Sequence, residues 1–215
     1  MGHRPENTMP SFELAVDLGV DMVECDVHLS ADGQVVVIHD HTLDRTTTGA
    51  GLVRDRTAAE LRALDVPALD ELLAWCRGRV SIQIELKNGP VFYERLSEKV
   101  VDLVRKHEML DEVFLISFDH QALRRAREVE PSISGGILFA ARLVDAPGAA
   151  AAARASAILP QFGFATPDVV EQAHGAGLGV SVWTMDDADR ASKLAAIGVD
   201  AIATNYPDRV LAALE

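Results

Sequence analysis

MVECDVHLSADGQVVVIH, from Met22 to His39, holds two β-type runs, Met22 to Val27 and Val35 to His39. Apolar and polar residues alternate through the first run, and the second is almost entirely Val and Ile, the patterns of strands buried on one or both faces. Between them stand only His28, Leu29 and the turn-forming stretch Ser30-Ala31-Asp32-Gly33-Gln34. A parallel connection needs a crossover of a dozen or more residues, so the second run must fold back antiparallel as a hairpin.

Working outward, β-rich runs alternate with stretches of helical period, the signature of a parallel sheet with crossover helices. The remaining runs are Met1 to Arg4, Ser81 to Lys87, Val113 to Phe118, Ile133 to Phe139, Ser156 to Gln161, Gly179 to Thr184 and Asp200 to Thr204. With the hairpin arm set aside, eight parallel strands remain, each followed by a helical segment. The expected fold is therefore a TIM (β/α)8 barrel with a small hairpin and loop insertion after the second strand. An open doubly wound sheet is the alternative topology. The expected organisation is one catalytic domain over residues 1–215, with residues 28–66 as the insertion over the mouth, including the polar Thr42 to Gly51 loop.

Composition narrows the function classes. A formal charge of -13 repels phosphate backbones, and no basic stripe with interleaved aromatics offsets it, so a nucleic-acid partner is not expected. An acidic enzyme can still take a small anion if a bound cation reverses the local potential. The longest apolar candidate, from Gly135, is broken by Arg142, Asp145 and Arg154, so no transmembrane segment is expected. No export signal is visible, and a cytoplasmic location is the default expectation. Two cysteines, Cys25 and Cys76, are too few for a disulfide framework or a zinc site and read as packed side chains.

Chemistry gathers at the predicted strand ends. Glu24 and Asp26 lie two apart, so both face one side, with Val23, Cys25 and Val27 facing the helices. Glu85 ends another strand, with Lys87 on its face. Three carboxylates converging at a barrel mouth repel one another unless a cation neutralises them, and hard oxygen ligands suit magnesium or calcium. The bland alternative is that these acids only form structural ion pairs with Arg4 and Lys87. A two-residue turn at Asp32-Gly33 sets His39 opposite Asp26, and a four-residue turn sets it opposite Glu24; either register places it on the carboxylate face. His3 ends the first run beside Arg4. Two imidazoles offer a general acid and a general base near neutrality, and Arg4 and Lys87 offer cations for phosphoryl oxygens.

The segments Gly2-His3-Arg4, Pro5-Glu6-Asn7-Thr8, Val23-Glu24-Cys25-Asp26-Val27, Asp32-Gly33, His39-Asp40, Glu85-Leu86-Lys87 and Val182-Trp183-Thr184 together resemble the signature of the glycerophosphodiester phosphodiesterase family. The resemblance implies one divalent metal ion, Mg2+ or Ca2+, held by Glu24, Asp26 and Glu85, with His3 and His39 as the acid/base pair. It implies Arg4 and Lys87 on the phosphate and Glu6 and Asn7 beside the site, with Glu6 an expected substrate contact. Phe118 and Trp183, at strand ends, are expected to wall the glycerol part, with core packing as the alternative. The substrate class is then a glycerophosphodiester, cleaved to sn-glycerol 3-phosphate and an alcohol. Alternatives are a phosphodiesterase acting on lysophospholipid-type substrates and a non-catalytic phosphodiester-binding barrel. A sugar-phosphate isomerase or aldolase loses ground because the last two strand-end loops, from Met185 and Asn205, lack phosphate-cradling glycines.

Family members usually carry several residues between the His-Arg pair and Pro-Glu-Asn-Thr, whereas here Arg4 runs straight into Pro5. A similar loop is absent between Val66 and Pro67. The expectation is a break in the chain at both junctions; the alternative is a trimmed rim and a more open site. Of the other histidines, His28 shares the carboxylate face, His41 and His120 read as loop residues near strand ends, and His107 and His174 as surface residues.

Overall fold

The computed structural model describes residues 2–214. Helix α1 (Met9–Asp17) precedes the hairpin of β1 (Met22–Leu29) and β2 (Val35–Val37), and two short helices, α2 (Ala58–Arg62) and α3 (Leu69–Cys76), follow it. Strand and helix then alternate: β3 (Ser81–Leu86), α4 (Leu96–Lys106), β4 (Val113–Ser117), α5 (His120–Val129), β5 (Ser134–Phe139), α6 (Ala146–Ala153), β6 (Ala157–Pro160), α7 (Pro167–Gly175), β7 (Gly179–Val182), α8 (Ala188–Ala196), β8 (Ala201–Ile202) and α9 (Pro207–Leu214). The sheet order is β2-β1-β3-β4-β5-β6-β7-β8, with β2 antiparallel to β1 and the other pairings parallel. This is a curled (β/α)8-type sheet.

One expected strand is missing. Met1 lies outside the described residues, and Gly2 to Arg4 make no ladder. The Gly2 N–H donates to the Asn205 carbonyl at 3.1 Å, just beyond β8, a single bond where a strand would make several. Gly2 to Arg4 thus add no rung to the sheet, and Pro5, which follows, has no N–H to donate. Residues at both junctions are hydrogen-bonded into the fold. Thr8 Oγ1 donates to the Pro5 carbonyl at 2.8 Å, folding residues 5–8 directly into α1, while Val37 N–H donates to the Pro67 carbonyl at 2.9 Å.

The hairpin register also differs from both expected versions. Leu29 pairs with Val35 and Val27 with Val37, so the connection is the five residues Ser30 to Gln34. That odd shift would set His39 opposite Cys25, on the helix side, had the strand continued. It does not: β2 ends at Val37, and Ile38 N–H makes the last bond to the Asp26 carbonyl at 3.0 Å. The chain turns there, which releases His39 from the pleat.

Alternation along each strand divides the apolar residues into layers. Val23, Cys25 and Val27 of β1, and Ile82, Ile84 and Leu86 of β3, pack outward with α3, α4 and α5 residues in the main core. Inside the curl, Ile116, Leu138, Ala157 and Leu159 fill one half, with Phe114 and Trp183 against them. The other inward positions of β1 and β3 carry Glu24, Asp26, Gln83 and Glu85. The insertion is not a bare excursion, since Leu43, Val53, Leu61 and Val66 form a small core on Val36 and Ile38. Helix α2 is held by a reciprocal cap in which Glu60 N–H donates to Thr57 Oγ1 and the Glu60 carboxylate accepts from Thr57 N–H.

The packing assigns opposite signs to two Gly→Ala changes. A Cβ at Gly135 would meet the Leu115 carbonyl oxygen at 2.6 Å and Leu123 Cδ1 at 2.7 Å, so Gly135→Ala should lose about 1–3 kcal/mol of unfolding free energy. At Gly175, exposed near the end of α7, a Cβ meets nothing within 4 Å, so Gly175→Ala should gain about 0.5–1 kcal/mol. Urea titrations of the two variants check both signs.

Candidate active site

In the parallel register Asp26 stands beside Glu85 and Glu24 beside Gln83, which makes side-by-side carboxylates unavoidable. Ligand atoms of Glu24, Asp26 and Glu85 all lie within 4.8 Å of one another. Asp26 and Glu85 are buried, whereas Glu24 is open to solvent at the mouth. Asn7 clasps Asp26 from the side: its Nδ2 donates to Asp26 Oδ2 at 2.8 Å, and its Oδ1 accepts from the Asp26 N–H at 3.1 Å. Asn7 sits at φ +55°, a left-handed conformation that asparagine tolerates better than most residues.

Lys87 lies between two of the acids, with Nζ 3.0 Å from Asp26 Oδ1 and 2.9 Å from Glu85 Oε1. The ion-pair alternative is thus realised for Lys87, but one ammonium faces three carboxylates and leaves two formal negative charges. The strain is visible in the titration of the acids. Burial first, opposed by Lys87 and reinforced by Asp26, raises Glu85 to about 7. Crowding by protein first, then repulsion from Asp26 and Glu85, raises Glu24 well above the usual carboxylate range; the water that still reaches its surface tempers the first cause. Burial disfavours the charge of Lys87, yet Asp26 and Glu85 outweigh it and raise the ammonium to about 12. A hard divalent cation among these oxygens would cancel the surplus, so the residues fit such an ion.

His39 arrives at the edge of this cluster, close enough that its imidazole lowers the Glu85 carboxyl. Its Nδ1 lies 2.7 Å from Asp40 Oδ1, and Asp40 Oδ2 accepts from Arg45 Nε at 2.6 Å. Arg45 in turn forks onto the Glu6 carboxylate. The Arg45 bond, more than the His39 bond, holds Asp40 well below the usual carboxylate range, so Asp40 stays an acceptor. An accepting carboxylate at Nδ1 places the ring proton there and leaves Nε2 free. Glu6 is therefore engaged with Arg45. Arg45 escaped the sequence reading, and Asp40 was noted there only as part of the His39-Asp40 segment; the available signals were the single cation in the Thr42 to Gly51 loop and the carboxylate adjacent to His39.

His3 is elsewhere. Its Nε2 lies 2.9 Å from Asp208 Oδ1 and its ring meets Tyr206 edge-on at 5.4 Å, both in the segment after β8. Arg4 is exposed beside it. Phe118 and Trp183 meet edge to face at 5.2 Å, with Trp183 Nε1 donating to the Leu159 carbonyl at 2.8 Å. Both shortened junctions meet at one cavity of about 490 Å³, whose lining includes Pro5, Glu6, Asn7, His39, Val66 and Pro67. His28, 1% exposed, is pushed down to about 4 by burial and is neutral. His107 and His174 pair with Asp70 and Asp200, and His120 with the Leu138 carbonyl, all away from the acids.

Strand-end carboxylates with an oriented imidazole at the mouth of a curled parallel sheet define a barrel enzyme. The sequence pattern of the glycerophosphoryl diester phosphodiesterase family matches residues 1–209. A glycerophosphodiester phosphodiesterase of Caldanaerobacter subterraneus subsp. tengcongensis is 32% identical over 221 residues, covering 96% of this chain and 91% of the relative. A crystal structure of glycerophosphodiester phosphodiesterase from Agrobacterium tumefaciens is 32% identical with a TM-score of 0.85, covering 97% of this chain and 94% of the other. An Oleispira antarctica phosphodiesterase, solved in complex with the product sn-glycerol-3-phosphate, is 29% identical with a TM-score of 0.90, covering 99% and 92%. The chain belongs to the glycerophosphoryl diester phosphodiesterase family and is a phosphoric diester hydrolase.

The raised Glu85 carboxyl carries a pH signature. Between its ordinary 4.5 and about 7 the unfolded chain has released this proton while the folded chain keeps it. The unfolded state then binds fewer protons, so stability falls as pH rises through that window. Chelator-treated protein should therefore melt at a lower temperature at pH 7.5 than at pH 5. A divalent cation should recover the stability lost at pH 7.5, and Glu85→Gln should flatten the slope. Calorimetry across the window checks this, and a wild-type melting temperature that climbs through it without metal would count against the reading.

Proposed function

We propose that this chain hydrolyses glycerophosphodiesters to sn-glycerol 3-phosphate and an alcohol. One divalent cation, Mg2+ or Ca2+, is held by Glu24, Asp26 and Glu85. The observation that carries the reading is the surplus of two negative charges on three converging carboxylates with His39 beside them. When bound, such an ion withdraws charge from a phosphoryl oxygen. The side chains do the rest. His39, backed by Asp40, moves a proton through its free Nε2, and Asp40 stabilises the imidazolium that results. His3, backed by Asp208, is the second proton carrier, working through Nδ1. Arg4 and Lys87 face the developing phosphoryl charge, Lys87 exchanging part of its ion pairing with the acids for the substrate. Phe118 and Trp183 shelter the glycerol carbons, and the cavity bordered by His39 leaves room for the departing alcohol.

Support comes from the product complex of the Oleispira antarctica relative, whose ligand is the proposed product. Against the non-catalytic alternative stands the retention of both imidazoles and all three acids. The test is turnover of glycerophosphocholine, glycerophosphoethanolamine and a lysophospholipid with Mg2+, Ca2+ or EDTA. EDTA should abolish hydrolysis. His39→Ala and His3→Ala should each lower kcat by about 10²–10⁴ without loss of fold, because each removes a proton carrier and no core volume. Full activity in EDTA would refute the metal, and near-normal kcat in either variant would remove that histidine from the chemistry.

A further inference from the structure

His28 is a buried imidazole to which the reaction assigns nothing. It stands on β1 one pleat beyond Asp26, on the same face, and its ladder partner is Val36. Its Nε2 lies 3.1 Å from the His39 carbonyl oxygen, and its Nδ1 lies 3.2 Å from the Tyr93 hydroxyl. A carbonyl can only accept, so Nε2 carries the hydrogen and donates, and Nδ1 accepts from the Tyr93 O–H. Tyr93 also packs edge-on against the ring at 5.8 Å. The tyrosine is anchored in turn: its N–H donates to Asn88 Oδ1 at 2.7 Å, and Asn88 Nδ2 donates to Asp119 Oδ2 at 2.6 Å.

We propose that His28 is a positioning residue for His39, fixing by its Nε2–H bond to the His39 carbonyl the turn through which His39 leaves the β2 pleat and reaches the carboxylates. The inference rests on the reading of His39 as a proton carrier. Continued pleating after Ile38 would send His39 toward the helices, opposite Cys25, so some interaction must hold the turned backbone. No ladder bond takes the His39 carbonyl, and His28 supplies the donor. The Asp40 bond then settles the ring, while His28 settles the backbone that bears it. Through Tyr93 the position of His39 is tied to the β3–α4 loop, the segment that begins with Lys87. A misplacement of about 1 Å in a reacting group can cost 10²-fold in rate, which is the scale of effect that such a tie controls.

The experiment compares His28→Gln, His28→Asn and His28→Leu with His39→Ala, using glycerophosphocholine and saturating divalent metal. A Gln amide reaches the place of Nε2 and can bond the His39 carbonyl; an Asn amide stops at the place of Nδ1 and cannot. We expect kcat to fall about 10–100-fold in the Leu and Asn variants with KM changed little, and the Gln variant to stay within about fivefold of wild type. Equal kcat for Gln and Asn would overturn the proposal even if the Leu variant fails to fold, and so would wild-type kcat in a folded Leu variant. If His39→Ala itself keeps normal turnover, the reading of His39 falls instead, and the two failures are told apart.

Discussion

Repulsion among Glu24, Asp26 and Glu85 is the constraint around which the mouth of this molecule is organised. Parallel pairing aligns Asp26 with Glu85, and neighbouring strands lie only about 4.8 Å apart, so the two charges cannot separate without breaking the sheet. Lys87 bridges the pair, Asn7 clasps the free side of Asp26, and the raised Glu24 and Glu85 carboxyls show that the compensation is incomplete. A fold that packs Val23, Cys25, Ile82 and Ile84 so completely on the outer face of the same two strands can hold this tension in place, because releasing it would expose the core.

The second organising element is one short segment, Pro5 to Thr8, which serves two parts of the site. Asn7 reaches the acid cluster, and Glu6 reaches Arg45, which holds Asp40, which orients His39. Arg45 sits on the insertion, whose small core of Leu43, Val53, Leu61 and Val66 seats that loop on the hairpin. The insertion thus contributes to the chemistry indirectly, by presenting a guanidinium between two carboxylates. The same arrangement explains why Glu6, beside the site in sequence terms, faces a protein cation.

The absence of a ladder from Gly2 to Arg4 has a structural consequence. Without a ladder from Gly2 to Arg4, the sheet's contact between the β8 side and the chain's beginning falls to the Gly2–Asn205 bond and the His3 contacts with Asp208 and Tyr206. His3 is held by the end of the chain, while His39 is held by the hairpin. The cavity bordered by Pro5, Val66 and Pro67 brings two junctions far apart in sequence to one wall of the mouth, and this joins the shortened rim to the site.

Local residues determined much of this. The spacing of Glu24 and Asp26, the period-two alternation around them and the short Ser30 to Gln34 connection were sufficient for the strand, its inward face and the antiparallel arm, because pleat and chain length are local constraints. The order of alternating strands and helices and the convergence of three acids were legible for the same reason. What sequence could not supply was register and reach. A one-residue difference in the hairpin connection moves His39 from one face to the other, and the bond from His28 on the neighbouring strand holds the turn that brings it back. The Glu6–Arg45 fork joins residues 39 apart through a loop with no period, and His3 pairs with an aspartate 205 residues away. Such contacts depend on how the sheet curls and where the insertion packs, and those are decided by the burial of whole layers, not by any stretch of sequence taken alone.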